Sequence, residues 1–388
     1  MNRPGLLHII ERLESFLGKL PETIRRPVLH ELTPLKELFL QQRAPRFVIT
    51  GSNTRPLQEI AASLFAWKPP AEPREVLMEL FRWHAMELGG RGTILFLDAR
   101  GADARPLEKI AEELKVQPAD LLMHLEEDNS GTVEQTELQN MATLLTANPA
   151  GHANPRVIGV IFSHPSSHIR HQNGDRSVRS AMKMRARLQS ALEQHSIIAP
   201  QLLHVTEIGA DGDAQQLMTL LARNMPNEAR VEMARIAHDR TTQTEIAQTL
   251  VKSTTAICAA IGAQPIPLAD LPILTALQLL MVSGIMYISG RERSLRAATE
   301  FVTALGVNVG AGMILREGTR ALLKFFPGWG NIVCGAVAGA GTYAIGRAAI
   351  VYFLEGLTLK DARRTYLSSR KKRGPSAANS LKQIEATR

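Results

Sequence analysis

The sequence predicts an α/β domain, a parallel sheet with flanking helices, followed by an all-α apolar helical domain. Three observations carry this expectation. Between residues 46 and 225, short apolar runs that end at Gly or Asp alternate with helical patterns, which is the signature of βαβ units. Beyond Pro226 the composition changes to long helices rich in Ala, Gly, Leu and Ile. The chain has 388 residues, 45 % of them hydrophobic, enough for two or three domains with buried cores. Four segments are expected: an N-terminal helical arm over 1–45, the α/β domain over 46–225, the helical domain over 226–359 and a basic, disordered tail over 360–388.

The arm, residues 6–43, reads as two amphipathic helices. Leu6, Ile9, Ile10, Leu13, Phe16 and Leu17 follow helical spacing, and Pro21 and Pro27 interrupt it. The first strand is Arg46–Thr50, ending at Gly51, and residues 56–66 form the next helix. A second strand runs from Thr93 to Leu97 and ends at Asp98, and Pro106–Leu114 is helical. Further strands are expected at 119–125, 157–162 and 202–205. The segments 47–61 and 96–111 share a strand, a Gly turn and an Arg-Pro-Leu helix start, two similar βα turns rather than a duplicated domain. Proline suits the first helical turn because its missing N–H has no helical partner there.

Charge is unevenly placed. The net charge is +8, and residues 360–388 hold nine Lys or Arg against two acids, a net +7. The remaining body is close to neutral, which argues against a folded nucleic-acid groove. Glu11 and Glu14 interrupt the N-terminal apolar run, so it makes a poor signal peptide. Cys258 and Cys334 lie in apolar stretches and read as small buried hydrophobes in a reducing compartment.

The turn after the first strand is the position of a phosphate-binding loop, Gly-x4-Gly-Lys-Ser/Thr. Such a loop cradles phosphate with backbone N–H groups, neutralises it with Lys and ligates magnesium through the hydroxyl. The loop here opens at Gly51 and continues Ser52, Asn53, Thr54, Arg55, then Pro56, Leu57 and Gln58. Pro56 lacks the N–H, Leu57 the charge and Gln58 the hydroxyl. The second strand ends in Asp98-Ala99-Arg100-Gly101, which fits an Asp-x-x-Gly element. The strand at 157–162 is followed by Ser163-His164-Pro165-Ser166, where Asn-Lys-x-Asp would place a guanine-selecting carboxylate.

The order of these parts resembles an Era-like bacterial GTPase of the subgroup with a C-terminal helical domain of unknown function, a domain also found in YcjF-type membrane proteins. The C-terminal motifs carry most of the likeness: Pro265-Ile266-Pro267-Leu268-Ala269-Asp270-Leu271-Pro272-Ile273 with Gln278 and Met281, then Phe326-Pro327-Gly328-Trp329-Gly330 and Gly341–Ala348. The resemblance implies a P-loop GTPase-like sheet in which Gly51, Asp98 and Gly101 mark a vestigial nucleotide pocket. The replaced lysine, hydroxyl and carboxylate imply a pseudo-GTPase with no catalytic residue, cofactor or metal. The alternative is a divergent GTP-binding protein with weak GTPase activity.

Two further patterns each carry two readings. Residues 126–137 resemble a calcium loop, with Gly131 at position six and Glu137 at twelve but Glu126 where Asp is expected at position one. The other reading is a strand-to-helix turn capped by Thr132 and Gln135. His164, His168 and His171 lie in a polar, turn-rich segment and read as a solvated loop rather than a zinc site.

Leu271–Gly290 and Phe325–Gly346 are charge-free runs long enough to span a bilayer, or alternatively to pack a soluble bundle. Between them, 291–324 carries Arg291, Arg293, Arg296, Arg316, Arg320 and Lys324 against three acids. Basic loops favour the cytoplasmic side, so a hairpin dipping into one leaflet, or a bundle docked on it, fits better than two full spans. Lys360, Arg363, Arg364, Arg370, Lys371, Lys372 and Arg373 would add attraction to anionic lipid. The expected location is the cytoplasmic side of the inner membrane, peripheral or hairpin-inserted, with the cytoplasm as the alternative; the expected partners are that membrane and a protein, an active GTPase relative being one candidate, and no nucleic acid is expected.

Overall fold

A computed structural model describes residues 22–66, 82–127, 135–148, 156–162, 173–195, 197, 202–208, 214–263, 270–306 and 329–370. The chain divides into two compact units, Arg43–Asp239 and the pairing of residues 1–42 with Arg240–Arg388.

The α/β unit contains a six-stranded sheet. Its elements run β1 Arg46–Gly51, α2 Leu57–Leu64, β2 His84–Glu87, β3 Thr93–Asp98, α3 Ala104–Val116, β4 Leu121–Glu127, α4 Gln135–Ala147, β5 Arg156–Phe162, α5 Asn173–Gln194, β6 Leu202–Ile208, α6 Ala214–Asn224 and α7 Asn227–Ala237; α1, Glu22–Leu35, belongs to the other unit. The strand order is β2-β3-β1-β4-β5-β6. Five strands are parallel, and β2 runs antiparallel to β3. That exception to the all-parallel expectation has a local cause. Leu88 donates to the Gly92 carbonyl at 2.8 Å across Gly89-Gly90, both at positive φ, and a turn this tight joins only antiparallel strands.

Side-chain alternation gives the sheet two buried faces. On one, Val48, Leu97, Leu122 and Val157 meet Ile110 and Leu114 of α3, Met141 and Leu144 of α4, and Met184 and Leu188 of α5. On the other, Phe47, Phe96 and Phe65, the residue just after α2, stack with ring centroids 5.7–6.0 Å apart. The helix after β1 thus lies on the opposite face from the helices after β3 and β4. A reversal of this kind opens a crevice at the carboxyl ends of the strands. At their amino ends, Arg43 donates two bonds to the buried Asp120, at 2.7 and 2.5 Å.

Among the described residues, the helical unit contains α1 with a following π-helical turn Lys36–Leu40, α8 Arg240–Gly262, α9 Asp270–Ile288, α10 Leu295–Ala304, α11 Trp329–Phe353 and a helix over 359–370, α12. Gly335 and Gly346 allow α11 to lie close against α8. A Cβ on Gly335 would sit 2.7 Å from the Ala259 carbonyl oxygen, and one on Gly346 would sit 2.5 Å from Val251 Cγ2. Gln278 of α9 donates to the Thr342 hydroxyl at 2.9 Å, which satisfies a polar pair inside the apolar bundle. Cys258 and Cys334 are free thiols, and burial pushes the Cys258 thiol up to about 12, which leaves it inert.

Three expectations are corrected. The arm is not a separate segment: Leu32 of α1 shares a core with Ile257, Cys258, Ile261, Leu274 and Leu277, and Glu31 accepts a bond from Ser253 at 2.7 Å. Helix α1 also continues through Pro27, and the earlier helix of the arm lies outside the described residues. The α/β unit extends beyond 225, because α7 packs against α6 and Gln215 donates to the Ala237 carbonyl at 2.9 Å. Residues 360–370, expected as disordered tail, are helical because Thr358 and Asp361 cap the helix and Ala362 and Tyr366 bury one side of it.

Candidate functional site

The crevice at the carboxyl end of β1 brings the three residues of the expected pocket together. Gly51 closes β1, and Asp98 closes the adjacent β3, where it is in register with Ile49. Gly101 follows in the turn at φ +64°, with Asn53 against it. Gly51 has a structural reason to be glycine. Its φ is +92°, and a Cβ there would lie 2.2 Å from the Leu125 carbonyl oxygen. That carbonyl accepts from the Ser52 N–H at 2.9 Å, which fixes the start of the loop to β4.

Two arginines of the loops fill this crevice. Arg100 reaches back two residues to Asp98, donating at 2.7 Å through Nε and at 2.6 Å through Nη2. Its Nη1 donates to the Arg55 carbonyl at 2.7 Å, so one guanidinium ties the β3 turn to the β1 loop. The Arg100 side chain is only 6 % exposed. Arg55 forms a second forked pair, with Glu127 at the end of β4, at 2.6 and 3.1 Å. Thr54 Oγ1 donates to the same carboxylate at 3.1 Å, and the Arg55 guanidinium stands 4.9 Å from the centre of the Phe162 ring. Hydrogen bonding to Glu127 holds the Arg55 guanidinium still more firmly charged. Two cations and two carboxylates therefore neutralise one another across the ends of β1, β3, β4 and β5.

The loop then enters α2 directly after Pro56, whose carbonyl accepts from Glu59 and Ile60 at 3.1 and 3.2 Å. Glu59 lies in the first turn of α2. A carboxylate there repels an anion at the helix N-terminus, where a phosphate-binding loop would hold one.

A second polar cluster lies behind β4, on the α5 side. His124 is fully buried and shares a hydrogen bond with Thr50 Oγ1 at 3.0 Å. Burial, reinforced by the Arg187 cation, lowers its pKa to about 4. Glu126 accepts from Arg187 of α5 at 2.5 Å, and burial, the largest influence, raises its pKa against the pull of that arginine. Glu126 is thus directed into the protein at position one of the supposed calcium loop. Residues 128–134 of that loop lie outside the described residues, as do the three clustered histidines and Ser166. Among the described residues, no group of three or more His, Cys, Asp or Glu is arranged to hold a metal ion.

The basic residues split in the same way. Lys360, Arg363, Arg364 and Arg370 lie on α12, and Lys371, Lys372 and Arg373 lie outside the described residues. Of the two apolar runs, Cys334–Phe353 within α11 is long and apolar enough to cross a membrane, and about half of it is buried in the bundle; the apolar stretch of α9, Ile273–Ile288, is shorter.

The roles of Arg55, Arg100 and Glu127 are not evident in the sequence. Asp and Arg two residues apart at a strand end offered one signal for the Asp98–Arg100 pair. Glu127 carried none, because its partner lies 72 residues away.

No family model matches the chain. Over 148 residues it is 28 % identical to Magnetosome membrane protein 22 of Magnetospirillum gryphiswaldense, a match covering 35 % of this chain and 74 % of that protein. The chain is similar to a magnetosome membrane protein. The printed name describes that relative as a membrane protein and says nothing of nucleotide chemistry.

Proposed function

We propose that this chain is a catalytically inactive, GTPase-like scaffold or regulatory protein that associates with a membrane through its helical unit and uses the α/β unit to engage a protein partner. The observation that carries the reading is the crevice at β1. Its position, after the first strand and beside Asp98, is where a P-loop protein would hold nucleotide, yet it is spanned by the pairs Arg55–Glu127 and Arg100–Asp98. A phosphate competing for either guanidinium must displace a forked carboxylate that is already in place. The sequence also lacks the lysine, the magnesium hydroxyl and the Pro56 N–H. At ~1.5–3 kcal/mol for each lost charged contact, three such losses amount to on the order of 10³–10⁶ in affinity.

Membrane association is supported by the apolar length of α11 and by the name of the magnetosome relative. The test has two arms on the full chain. Thermal unfolding with GTP or ATP and magnesium is expected to show no shift, whereas occupancy at a hundred times Kd would add about 2.7 kcal/mol. Cell fractionation is expected to place the chain with membranes. Full recovery in the soluble fraction at low salt would remove the membrane half of the reading, and a nucleotide-dependent shift would remove the other.

A further inference from the structure

Helix α12 has two distinct sides. Ala362 and Tyr366, four residues apart, are buried. On the opposite side, Lys360, Arg363, Arg364 and Leu367 follow the i, i+3, i+4, i+7 spacing of a single helical face. With Ser368 they line an open cleft of about 500 Å³. The described helix carries four cations and one carboxylate, and that carboxylate, Asp361, is committed to the cap. It accepts from the Thr358 hydroxyl at 2.6 Å and from the Thr358 N–H at 3.3 Å, while the Asp361 N–H donates to the Thr358 hydroxyl at 3.3 Å. The cap fixes where the basic face begins. Leu367, in the middle of that face, is 55 % exposed, and Leu357 and Leu359 at the helix entrance are 47 % and 39 % exposed.

We propose that this face of α12 is a docking site for a bilayer surface rich in anionic phospholipid. The inference rests on the membrane reading above and names the element and the lipid class. Lys360, Arg363 and Arg364 meet the phosphates, and Leu367 enters the boundary between headgroups and acyl chains. Exposed leucine among cations is the pattern of a helix lying in the membrane plane. A nucleic-acid surface would call instead for aromatic stacking platforms among the cations, and this face has none. Attraction near an anionic leaflet is worth about 1 kcal/mol per cation, a factor of about five each, so the three together account for on the order of a hundredfold in partitioning.

The experiment is vesicle flotation of the full chain, with phosphatidylcholine alone or mixed with phosphatidylglycerol. The native chain is expected to favour the anionic vesicles and to lose that preference at high salt, since screening shortens the reach of exposed charge. The Lys360→Gln/Arg363→Gln/Arg364→Gln variant is expected to lose about a hundredfold on anionic vesicles with unchanged helix content, whereas Lys360→Arg/Arg363→Lys/Arg364→Lys retains binding. Leu367→Ser is expected to weaken binding about tenfold on the same vesicles. Equal binding of the native chain and the Gln variant to anionic vesicles overturns the inference and leaves association to the apolar helices. No binding to either vesicle removes the membrane reading as well. A Gln variant that loses affinity for single-stranded RNA while vesicle binding stays unchanged overturns it in favour of a nucleic acid.

Discussion

Replacing Asp98 by alanine removes both oxygens that hold the Arg100 fork and leaves a guanidinium whose side chain is 6 % exposed. The cost follows from what remains. Arg100 keeps the Arg55 carbonyl at 2.7 Å and a longer bond to the Ser52 carbonyl at 3.5 Å, so its charge is still partly solvated by backbone. Breaking a buried pair by removing one partner costs about 3–5 kcal/mol. Asp98 is itself 30 % exposed, and water reaching the vacated position moves the expected loss to about 3 kcal/mol, roughly two powers of ten in the opening of β1 and β3. Adding Arg100→Met removes the stranded charge, and the double variant is expected to recover more than half of that loss. The two units need not unfold together, so a single global transition is the wrong readout. Hydrogen exchange of the β1 and β3 amides across a urea series isolates the α/β unit. A loss below ~0.5 kcal/mol for Asp98→Ala, or strict additivity in the double-mutant cycle, would show that these charges do not close the crevice.

His124 is held neutral in the fold with its pKa lowered to about 4 from an ordinary value of 6.5. The unfolded chain therefore binds the extra proton first as pH falls, and this contribution to stability is intact above pH 6.5 and lost on acidification towards 4. Stability curves for the native chain and His124→Gln are expected to converge by about 2 kcal/mol between pH 6.5 and 5, and parallel curves would contradict the assignment; Glu126 is common to both chains. Gly335→Leu must force α11 away from the Ala259 carbonyl, with an expected loss of at least about 3 kcal/mol in the helical unit, read from exchange of α8 amides. The Pro56→Gly/Leu57→Lys/Gln58→Ser variant rebuilds the residues of a phosphate loop but leaves Glu127 on Arg55 and Ser166 in place of the guanine carboxylate; no GTP binding is expected by equilibrium dialysis, and stoichiometric binding would show that the loop alone was limiting.

Much of the sheet was legible because β1, β3 and β5 are buried runs with few polar residues, bounded by Gly or Asp. Strand β2 was not, since His84–Glu87 is a short edge strand with alternate side chains exposed, a pattern too brief to register. The apolar pattern puts β4 two residues early, at 119–125, because the strand ends in Glu126 and Glu127. Burial of Glu126 depends on its bond from Arg187, which is distant in sequence. Helix α12 was hidden by its cations, with only Ala362 and Tyr366 marking the buried side. Of the site, Gly51, Asp98 and Gly101 could be placed from their positions after two strands. The pairs that close the crevice could not, because Arg55 meets Glu127 only once β1 and β4 are neighbours.

Whether the crevice admits nucleotide is read from a calorimetric titration of GTP with magnesium into the full chain. No binding heat beyond dilution is expected into the millimolar range of ligand, about −4 kcal/mol or weaker in free energy. A saturable isotherm with a micromolar dissociation constant and one site per chain would contradict it, and would show that a phosphate group displaces Glu127 or Asp98 from the arginines they hold.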